Sequence, residues 1–353
     1  MKVKTFFITI LLLFSIPSFL LSWNISNSEQ QLINSGKQYS FPSEKFSKKE
    51  IRKTWDYLKS LNHLGLEKSG LCLVNIKNET INYLSLFPLN EEQNLKIQGF
   101  TSALECLKQF RKIPSCDFIL ALENFDRPIV LKQLQIPVFA VSKEKGNHKV
   151  WLIPRFWNCD REASFQNSTT PFETKMDCAC WRGAPTDGKY EFYSWDLNPR
   201  ASFCLKCKNQ PLIDAGFYSS GIKSFEKWFV ENGISKEYKT PIEQSNYKYL
   251  ISIDGKNAPS SFEWQLFTGS VVLKKQSNRE EWFYPYLKEG KHFLSFDSEE
   301  ELLFIIDKLQ KNETFAKELA KNSTTFANEY LKDIDLFDYL QQLLISYRNN
   351  LQD

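Results

Sequence analysis

One short stretch of the chain indicates the fold: residues 247–254 read Tyr-Lys-Tyr-Leu-Ile-Ser-Ile-Asp. The run is apolar almost throughout, has the length of a buried strand and ends in an acidic residue. A strand that is apolar on both faces is typical of a parallel sheet covered by helices on both sides. Similar runs recur at residues 71–76, 116–122, 136–141, 150–154, 179–183 and 270–274.

Helical segments alternate with these runs. Apolar residues recur at helical spacing, as Ile51, Trp55 and Leu58 illustrate. Alternating strands and helices predict an α/β fold with parallel sheet. The same spacing predicts helices over residues 47–62, 98–111, 198–208, 260–267, 299–309, 314–330 and 336–349.

The length of the chain predicts two domains. It has 353 residues, and one domain takes roughly 150. We place an N-terminal α/β domain at residues 23–155, a second at residues 156–330 and a C-terminal helix at residues 331–353. The net charge of +3, from 45 basic and 42 acidic residues, creates no strong field for nucleic acid.

The N-terminus predicts export. Residues 1–22 have Lys2 and Lys4 near their start and continue as a nearly unbroken apolar run, the pattern of a secretory signal peptide. The run is long enough to leave an uncleaved signal anchor open. We therefore expect the secretory pathway lumen (ER or Golgi) or secretion in a eukaryote, and the cell envelope in a bacterium. Five Asn-x-Ser/Thr sequons mark surface positions where the host glycosylates: Asn24, Asn78, Asn167, Asn312 and Asn322.

The cysteine count favours disulfides. An even number of cysteines in an exported chain is typical of a disulfide framework. Two alternatives stay open. The four cysteines between residues 178 and 207 could bind a structural zinc ion, or the thiols could be free and buried. The eight residues are Cys72, Cys106, Cys116, Cys159, Cys178, Cys180, Cys204 and Cys207.

Three polar segments follow predicted strands, at residues 123–128, 181–190 and 254–263. Ligands of open α/β sheets bind beyond the carboxyl ends of the strands, so these segments form the candidate site. The first contains Asp126 directly after a buried strand. A carboxylate in this place serves either as a general base or as an ordinary turn residue.

The other two segments have features of phosphate-binding loops. Gly183 permits close backbone approach, and Arg182 brings positive charge to a diphosphate, although a solvated turn is the alternative. In the third segment, Ser260 could cap a helix whose amide groups bind an anion, or simply cap a connecting loop.

Several catalytic motifs are missing from the sequence. It has no dinucleotide-binding glycine motif, no Walker loop, no H-E-x-x-H and no G-x-S-x-G, and only three histidines. We also identify no Asp-x-Asp of the kind that holds a divalent metal against a nucleotide diphosphate. The pattern therefore disfavours chemistry that depends on a divalent metal, and we predict no metal at the strand-end site.

The strand-end segments together resemble glycosyltransferase family 90, over about residues 115–348. This family includes Rumi-like protein O-glucosyltransferases, capsule-associated xylosyltransferases and lipopolysaccharide-modifying glycosyltransferases. The resemblance is carried, in order, by Trp181-Arg182-Gly183-x-x-Thr186, Pro199-Arg200, residues 212–215, 248–255, 269–274 and 281–288, and His292.

The resemblance implies a GT-B type fold, in which two Rossmann-like domains face each other across a cleft. Residues 23–155 would form the acceptor side and residues 156–330 the nucleotide-sugar side. It implies inverting, metal-independent transfer of a glucose- or xylose-type sugar from a UDP-sugar to a hydroxyl of a protein, lipopolysaccharide or glycan. No cofactor is expected beyond the UDP-sugar co-substrate. Neither nucleic acid nor membrane is an expected partner, apart from an uncleaved N-terminal segment.

The resemblance also implies roles for individual residues. Asp126 would be the general base. The donor would be bound by Arg182, Gly183, Thr186, Arg200, Asp254, Gly255, Lys256, Ser260 and Ser261.

Two departures from the family pattern affect these expectations. Some relatives carry an arginine where this chain has Ser261, so a cation is lost there or Lys256 supplies it. The loss motivates an alternative, a catalytically inactive glycan- or protein-binding module on the same fold. The chain ends Leu-Gln-Asp without a KDEL signal, which weakens the expectation of ER residence. A disulfide-stapled envelope protein is a third interpretation, but it leaves the strand-end motifs unexplained.

Overall fold

The computed structural model describes residues 37–61, 66–78, 80–123, 128–157, 170–186, 198–218 and 223–352. The N-terminal segment 1–22, Asp126 and Cys159 lie outside these residues, as does most of the predicted domain junction. The features expected there, and the domain boundaries, stay predictions.

The first of two five-stranded sheets is mixed. Its strands, in spatial order, are β3 (Thr80–Ser85), β2 (Leu71–Lys77), β4 (Cys116–Ala121), β5 (Val138–Ala140) and β7 (Val150–Leu152). Strand β2 runs antiparallel to both β3 and β4, whereas β4, β5 and β7 are parallel. The prediction of a wholly parallel sheet is therefore wrong here. A tight turn at Asn78, which has a left-handed φ of 47°, joins β2 to the unpredicted edge strand β3.

The second sheet is parallel throughout, as predicted. Its strands, in spatial order, are β13 (Leu294–Phe296), β11 (Val271–Lys275), β10 (Tyr247–Ser252), β8 (Met176–Gly183) and β9 (Ile213–Phe217). Strand β10 lies at the centre, and its residues 249–252 are almost completely buried. Burial on both faces explains why the run is apolar without alternation.

The helices cover both sheets and mostly match the predicted segments. The first helix begins at the predicted Ser47, which forms a capping box with Glu50. The second begins at residue 91, seven residues earlier than predicted, because Asn90 and Gln93 form another capping box. The helices are α1 (Lys48–Ser60), α2 (Glu91–Phe110), α3 (Pro128–Leu131), α4 (Pro199–Cys207), α5 (Lys223–Glu231), α6 (Pro241–Gln244), α7 (Ser260–Gln265), α8 (Glu299–Lys311), α9 (Glu313–Tyr330) and α10 (Asp333–Asn350).

The last helix returns to the first sheet. Leu340, Leu343 and Tyr347 of α10 are buried in the same apolar cluster as the strands of that sheet. Two short ribbons complete the architecture: β1 (Phe46–Ser47) pairs with β14 (Leu351–Gln352), and β6 (Lys143–Glu144) pairs with β12 (Arg279–Glu280). We call the part of the molecule built around the first sheet the first unit and the part built around the second sheet the second unit. The ribbon of β6 and β12 joins these two units.

Helix α10 also contains an Asp-x-Asp sequence, Asp333-Ile334-Asp335, in its first turn. Asp335 is buried and accepts a hydrogen bond from Lys37 Nζ at 2.6 Å. Neither aspartate lines the interdomain cleft described below. This Asp-x-Asp therefore belongs to the packing of α10.

The disulfide prediction is not confirmed for the seven cysteines that the structure describes, because all of them are free thiols. Burial raises the pKa of Cys72, Cys116, Cys180 and Cys207 to about 12, so these thiols stay protonated and unreactive near neutral pH. Among the described residues, no group of three or more potential ligands could hold a metal ion. The interpretation that fits is free thiols, five of them buried and two, Cys106 and Cys178, partly buried.

None of the described helices combines the length and the apolar composition that a membrane span requires.

Candidate functional site

A cleft of about 540 Å³ lies between the two units, beyond the carboxyl ends of β8 and β10. Its second-unit wall includes residues 181–184, Thr186, Arg200 and residues 255–261, and its first-unit wall includes Lys96, Glu123, Arg155 and Trp157. A wider cavity of about 900 Å³ involves residues 170–173 and α9, at the amino end of β8. We take the cleft as the candidate site because strand-end loops from both units converge there.

Arg200 ties two of the predicted loops together. Its Nε donates to Asp254 O at 3.0 Å and its Nη2 to Ile253 O at 2.9 Å. Its Nη1 donates to Ala184 O at 2.8 Å and to Thr186 Oγ1 at 2.9 Å. The guanidinium is placed by the start of α4, where the Asn198 side chain accepts from the backbone amides of residues 200 and 201. A positive charge is thus fixed between the two loops.

Gly255 is required for this arrangement. A Cβ added at this position would lie 2.3 Å from Thr186 Oγ1 and 2.9 Å from Arg200 Nη2. The structure therefore brings Thr186 and Arg200 next to Asp254 and Gly255, which lie more than 50 residues later in the sequence. Their role in binding a donor stays a prediction.

Replacing Gly255 by alanine should separate the two loops. Forcing a methyl group into such a tight contact costs about 1–3 kcal/mol, which corresponds to a loss of about 5- to 150-fold in affinity for UDP. The affinity can be measured by titration calorimetry. Gly146→Ala is the control, because Gly146 also resists substitution, with a φ of 79°, but a Cβ added there would meet no atom within 4 Å. Equal UDP affinities in both variants would contradict the expectation.

Asp254 and Lys256 face different environments. Lys274 Nζ lies 3.3 Å from Asp254 Oδ1, and both side chains are largely buried beneath the loop. Lys256 is exposed and lines the cleft. Asp254 therefore contributes to the base of the loop, and Lys256 contributes positive charge to its surface.

Arg182 is bound to protein groups. Its Nη2 donates to both carboxylate oxygens of Asp214 at 2.8 Å, and its Nε donates to Glu237 O at 3.0 Å. Burial raises the pKa of Asp214, but the hydrogen bonds from Arg182 and Tyr247 outweigh it and hold the pKa below its usual value. Arg182 thereby joins β8 to β9, and its predicted contact with a diphosphate stays a prediction. The neighbouring Gly183 has no room for a side chain, because an added Cβ would lie 2.5 Å from the Trp181 ring.

The start of α7 differs from the sequence expectation. Pro259 occupies the N-cap position and no side chain caps the helix, so Ser260 is its first residue rather than its cap. Ser260 and Ser261 both line the cleft. The predicted capping role of Ser260 is therefore wrong, and the predicted role of both serines in binding the donor stays a prediction.

The first unit contributes a charged wall. Lys96 forms ion pairs with Glu123 and, at 2.7 Å, with Glu92. Lys96 also lies over the ring of Trp157, 5.9 Å from its centroid. Asp126 lies outside the described residues, and Glu123 is the last described residue before it.

Sequence reasoning missed a buried ion pair beside the cleft. Arg155 and Glu281 form a salt bridge, with 7% and 2% of their side chains exposed. Burial raises the pKa of Glu281 to about 7, although Arg155 opposes the shift. Glu281 belongs to the family-like stretch 281–288, and Arg155 follows a strand end, but no sequence pattern connects them.

The raised pKa of Glu281 predicts a pH-dependent stability. Between pH 4.5 and 7 the folded state binds the proton more strongly than the unfolded state, so this group stabilises the protein at pH 4.5 and its contribution falls as the pH rises through 7. The fall is on the order of 3 kcal/mol. Chemical denaturation of wild type and Glu281→Gln at pH 4.5 and 7 measures it. Parallel pH profiles for the two proteins would contradict the assignment.

The fold and the cleft define a class of protein. Two α/β units face each other across a cleft, and the strand-end loops of the parallel sheet of the second unit meet the first unit there. This is the GT-B type architecture of glycosyltransferases, as predicted. The chain belongs to one particular family of that class, glycosyltransferase family 90, whose model matches residues 114–353.

Comparison with known proteins shows distant similarity. Protein O-glucosyltransferase 1 of Rattus norvegicus is 24% identical over 261 residues, which cover 68% of this chain and 64% of that protein. Uncharacterized protein 179R of Invertebrate iridescent virus 6 is 28% identical over 216 residues, or 53% of this chain and 18% of the viral protein. The chain thus spans less than two thirds of the length of either relative. A crystal structure of Anabaena HepE in complex with UDP-glucose superimposes with a TM-score of 0.37 at 10% identity, covering 62% of this chain and 66% of that one.

Proposed function

We propose that this protein transfers a sugar of the glucose or xylose type from a UDP-sugar to a hydroxyl group of an acceptor. The observation that carries the proposal is the Arg200 tether, which holds two glycine-containing loops around a positive charge at the cleft. Membership of family 90 supports the same reaction class. We propose that the transfer inverts the configuration of the sugar and uses no metal ion.

The leaving diphosphate needs stabilisation by the protein in this mechanism. Preorganised cations and hydrogen-bond donors stabilise developing charge because they need no rearrangement during the reaction. Arg200 and Lys256 supply positive charge at the cleft. The backbone amides of Lys256, Asn257, Ser260 and Ser261 are candidate donors of hydrogen bonds to the phosphate oxygens. Pro259 has no N–H, and the amides of Gly255 and Ala258 already donate to Asn257 O and Ser142 Oγ.

The acceptor hydroxyl needs a base. A hydroxyl is a poor nucleophile at neutral pH, and a carboxylate that takes its proton contributes about 10²- to 10⁴-fold to the rate. We propose Asp126 for this role on the basis of the family resemblance. Attack on the anomeric carbon from the face opposite the departing UDP then inverts the configuration.

The sugar, acceptor and compartment are also proposals. The rat relative is named for protein O-glucosylation, so glucose and a hydroxyl on a protein are the first pair to test. A lipopolysaccharide or another glycan is the second choice of acceptor. An exported protein would act in the secretory pathway or the cell envelope.

The proposal can be tested with purified protein and a panel of UDP- and GDP-sugars in EDTA. We expect nucleotide release and thermal stabilisation with one UDP-sugar, and thermal stabilisation by UDP alone. Activity that appears only after Mg²⁺ or Mn²⁺ is added would overturn the metal-independent mechanism. No binding of any nucleotide would overturn the transferase proposal.

A second candidate function is a glycan- or protein-binding module without turnover. Ser261, which lines the cleft where some relatives carry a cation, favours it. Hydrolysis of the donor without an acceptor distinguishes the two, because a binding module releases no nucleotide.

A further inference from the structure

We infer that Arg155 and Ser142 of the first unit are positioning residues for the donor loop of the second unit, residues 254–261. The term donor loop rests on the proposed function. The inference itself concerns how the loop is held, and it can be tested separately.

Both polar backbone groups of Ala258 are bound by residues of the first unit. Arg155 Nη2 donates to Ala258 O at 2.9 Å, and Ala258 N donates to Ser142 Oγ at 3.3 Å. Only 6% of Arg155, 1% of Ser142 and 2% of Ala258 are exposed. Water therefore has little access with which to replace these bonds, and their loss would leave buried backbone groups unsatisfied.

The other end of the loop is held from within its own unit. Arg200 binds the carbonyl groups of Ile253 and Asp254, as described above. Between these two anchors lie Gly255, Lys256 and Asn257, and all three line the cleft. The conformation of this cleft-facing segment is thus determined jointly by one anchor from each unit.

The ribbon of β6 and β12 between the units positions the anchor that comes from the first unit. In this ribbon, Arg279 pairs with Glu144 and Glu280 with Lys143. Ser142 and Glu281 adjoin the last pair, Lys143 and Glu280, at the same end of the ribbon. Glu281 forms the buried ion pair with Arg155. One end of the ribbon therefore brings together the hydroxyl that binds Ala258 and the carboxylate that orients the guanidinium.

This arrangement links nucleotide affinity to the relative position of the two units. Ser142 does not line the cleft, so it acts on donor binding through the Ala258 backbone and without contacting the acceptor. We therefore expect Ser142→Ala to change nucleotide affinity and donor KM, with no change in acceptor KM.

The test uses Ser142→Ala, the double variant Arg155→Met/Glu281→Gln and a matched control. The control is Lys143→Met/Glu280→Gln, which removes the ion pair of 3.3 Å one residue along the same ribbon and keeps Arg155 and Ser142, the two partners of Ala258. The double variant removes both buried charges together and so avoids leaving one unpaired.

The first readout is amide hydrogen exchange of residues 255–261 in the full chain without nucleotide. We expect exchange to accelerate about fivefold in Ser142→Ala, the factor that corresponds to one ordinary hydrogen bond, and by more in the double variant. The control should exchange like wild type. Identical exchange in all four proteins would overturn the inference, and this readout holds whether or not the protein is a transferase.

The second readout is UDP affinity by calorimetry. We expect about fivefold weaker binding in Ser142→Ala and at least about tenfold in the double variant, with the control within about twofold of wild type. Accelerated exchange with unchanged UDP affinity would overturn the link to the donor. A wild-type protein that binds no UDP would overturn the proposed function, whereas the exchange data would still decide the loop anchor.

Discussion

Asp126→Asn is expected to lower the rate of sugar transfer by about 10²- to 10⁴-fold, the usual contribution of a general base. An amide has nearly the shape of a carboxylate but cannot accept the proton of the acceptor hydroxyl. UDP affinity should stay within about twofold of wild type, because the proposed diphosphate contacts come from the second unit. Transfer is measured by product formation with a saturating donor.

Glu123→Gln is the matched control for this variant. Glu123 lies three residues earlier, lines the cleft and pairs with Lys96, so its substitution removes a neighbouring charge of the same kind. We expect a change of less than about tenfold there, because a partly exposed ion pair contributes little. Transfer by a folded Asp126→Asn protein at the wild-type rate would refute the assignment of the base.

Arg200→Met is expected to weaken UDP binding by at least about 100-fold, which equals about 2.7 kcal/mol. The substitution removes a cation from the cleft and four hydrogen bonds that hold residues 184–186 and 253–254 together. Hydrogen bonds from a charged donor contribute about 1.5–3 kcal/mol each, and their contributions do not simply add. Titration calorimetry with UDP measures the change.

Two further variants separate charge from geometry at this position. Arg200→Lys keeps the charge but cannot reach all four acceptors, so we expect an intermediate affinity. Lys206→Met removes another cation of the same helix, one that pairs with Glu299 at the surface at 2.9 Å, and should leave UDP binding unchanged. A wild-type UDP affinity in Arg200→Met would show that the nucleotide does not bind at Arg200.

Local patterns predicted the elements that are buried on both faces. Residues 247–252 form the central strand of the second sheet, and residues 116–121 form a buried strand of the first. Helix α1 begins within one residue of the predicted segment 47–62, and the family-like segments 181–186 and 254–261 both lie at the cleft. These features depend on contacts within a few residues, or on burial alone, and both are readable from sequence.

Strand direction could not be predicted from the sequence in the same way. Strand β2 has an apolar run like that of a parallel strand, yet it runs antiparallel to both neighbours. An apolar pattern reports burial and carries no information about the direction of the hydrogen-bonded partner. The cysteines show a similar limit, because an even count is compatible both with disulfides and with the free buried thiols that the described residues contain.

The sequence by itself determined the α/β class, the positions of the strand-end loops and the family to which they belong. Only the tertiary structure decided which partner each charged side chain has. Arg182 binds Asp214, 32 residues away, and Arg155 binds Ala258, 103 residues away. The Arg200 guanidinium packs against Gly255, where the absence of a Cβ leaves the necessary space. Such pairings depend on how two units pack against each other, and no local period or spacing in a chain encodes that packing.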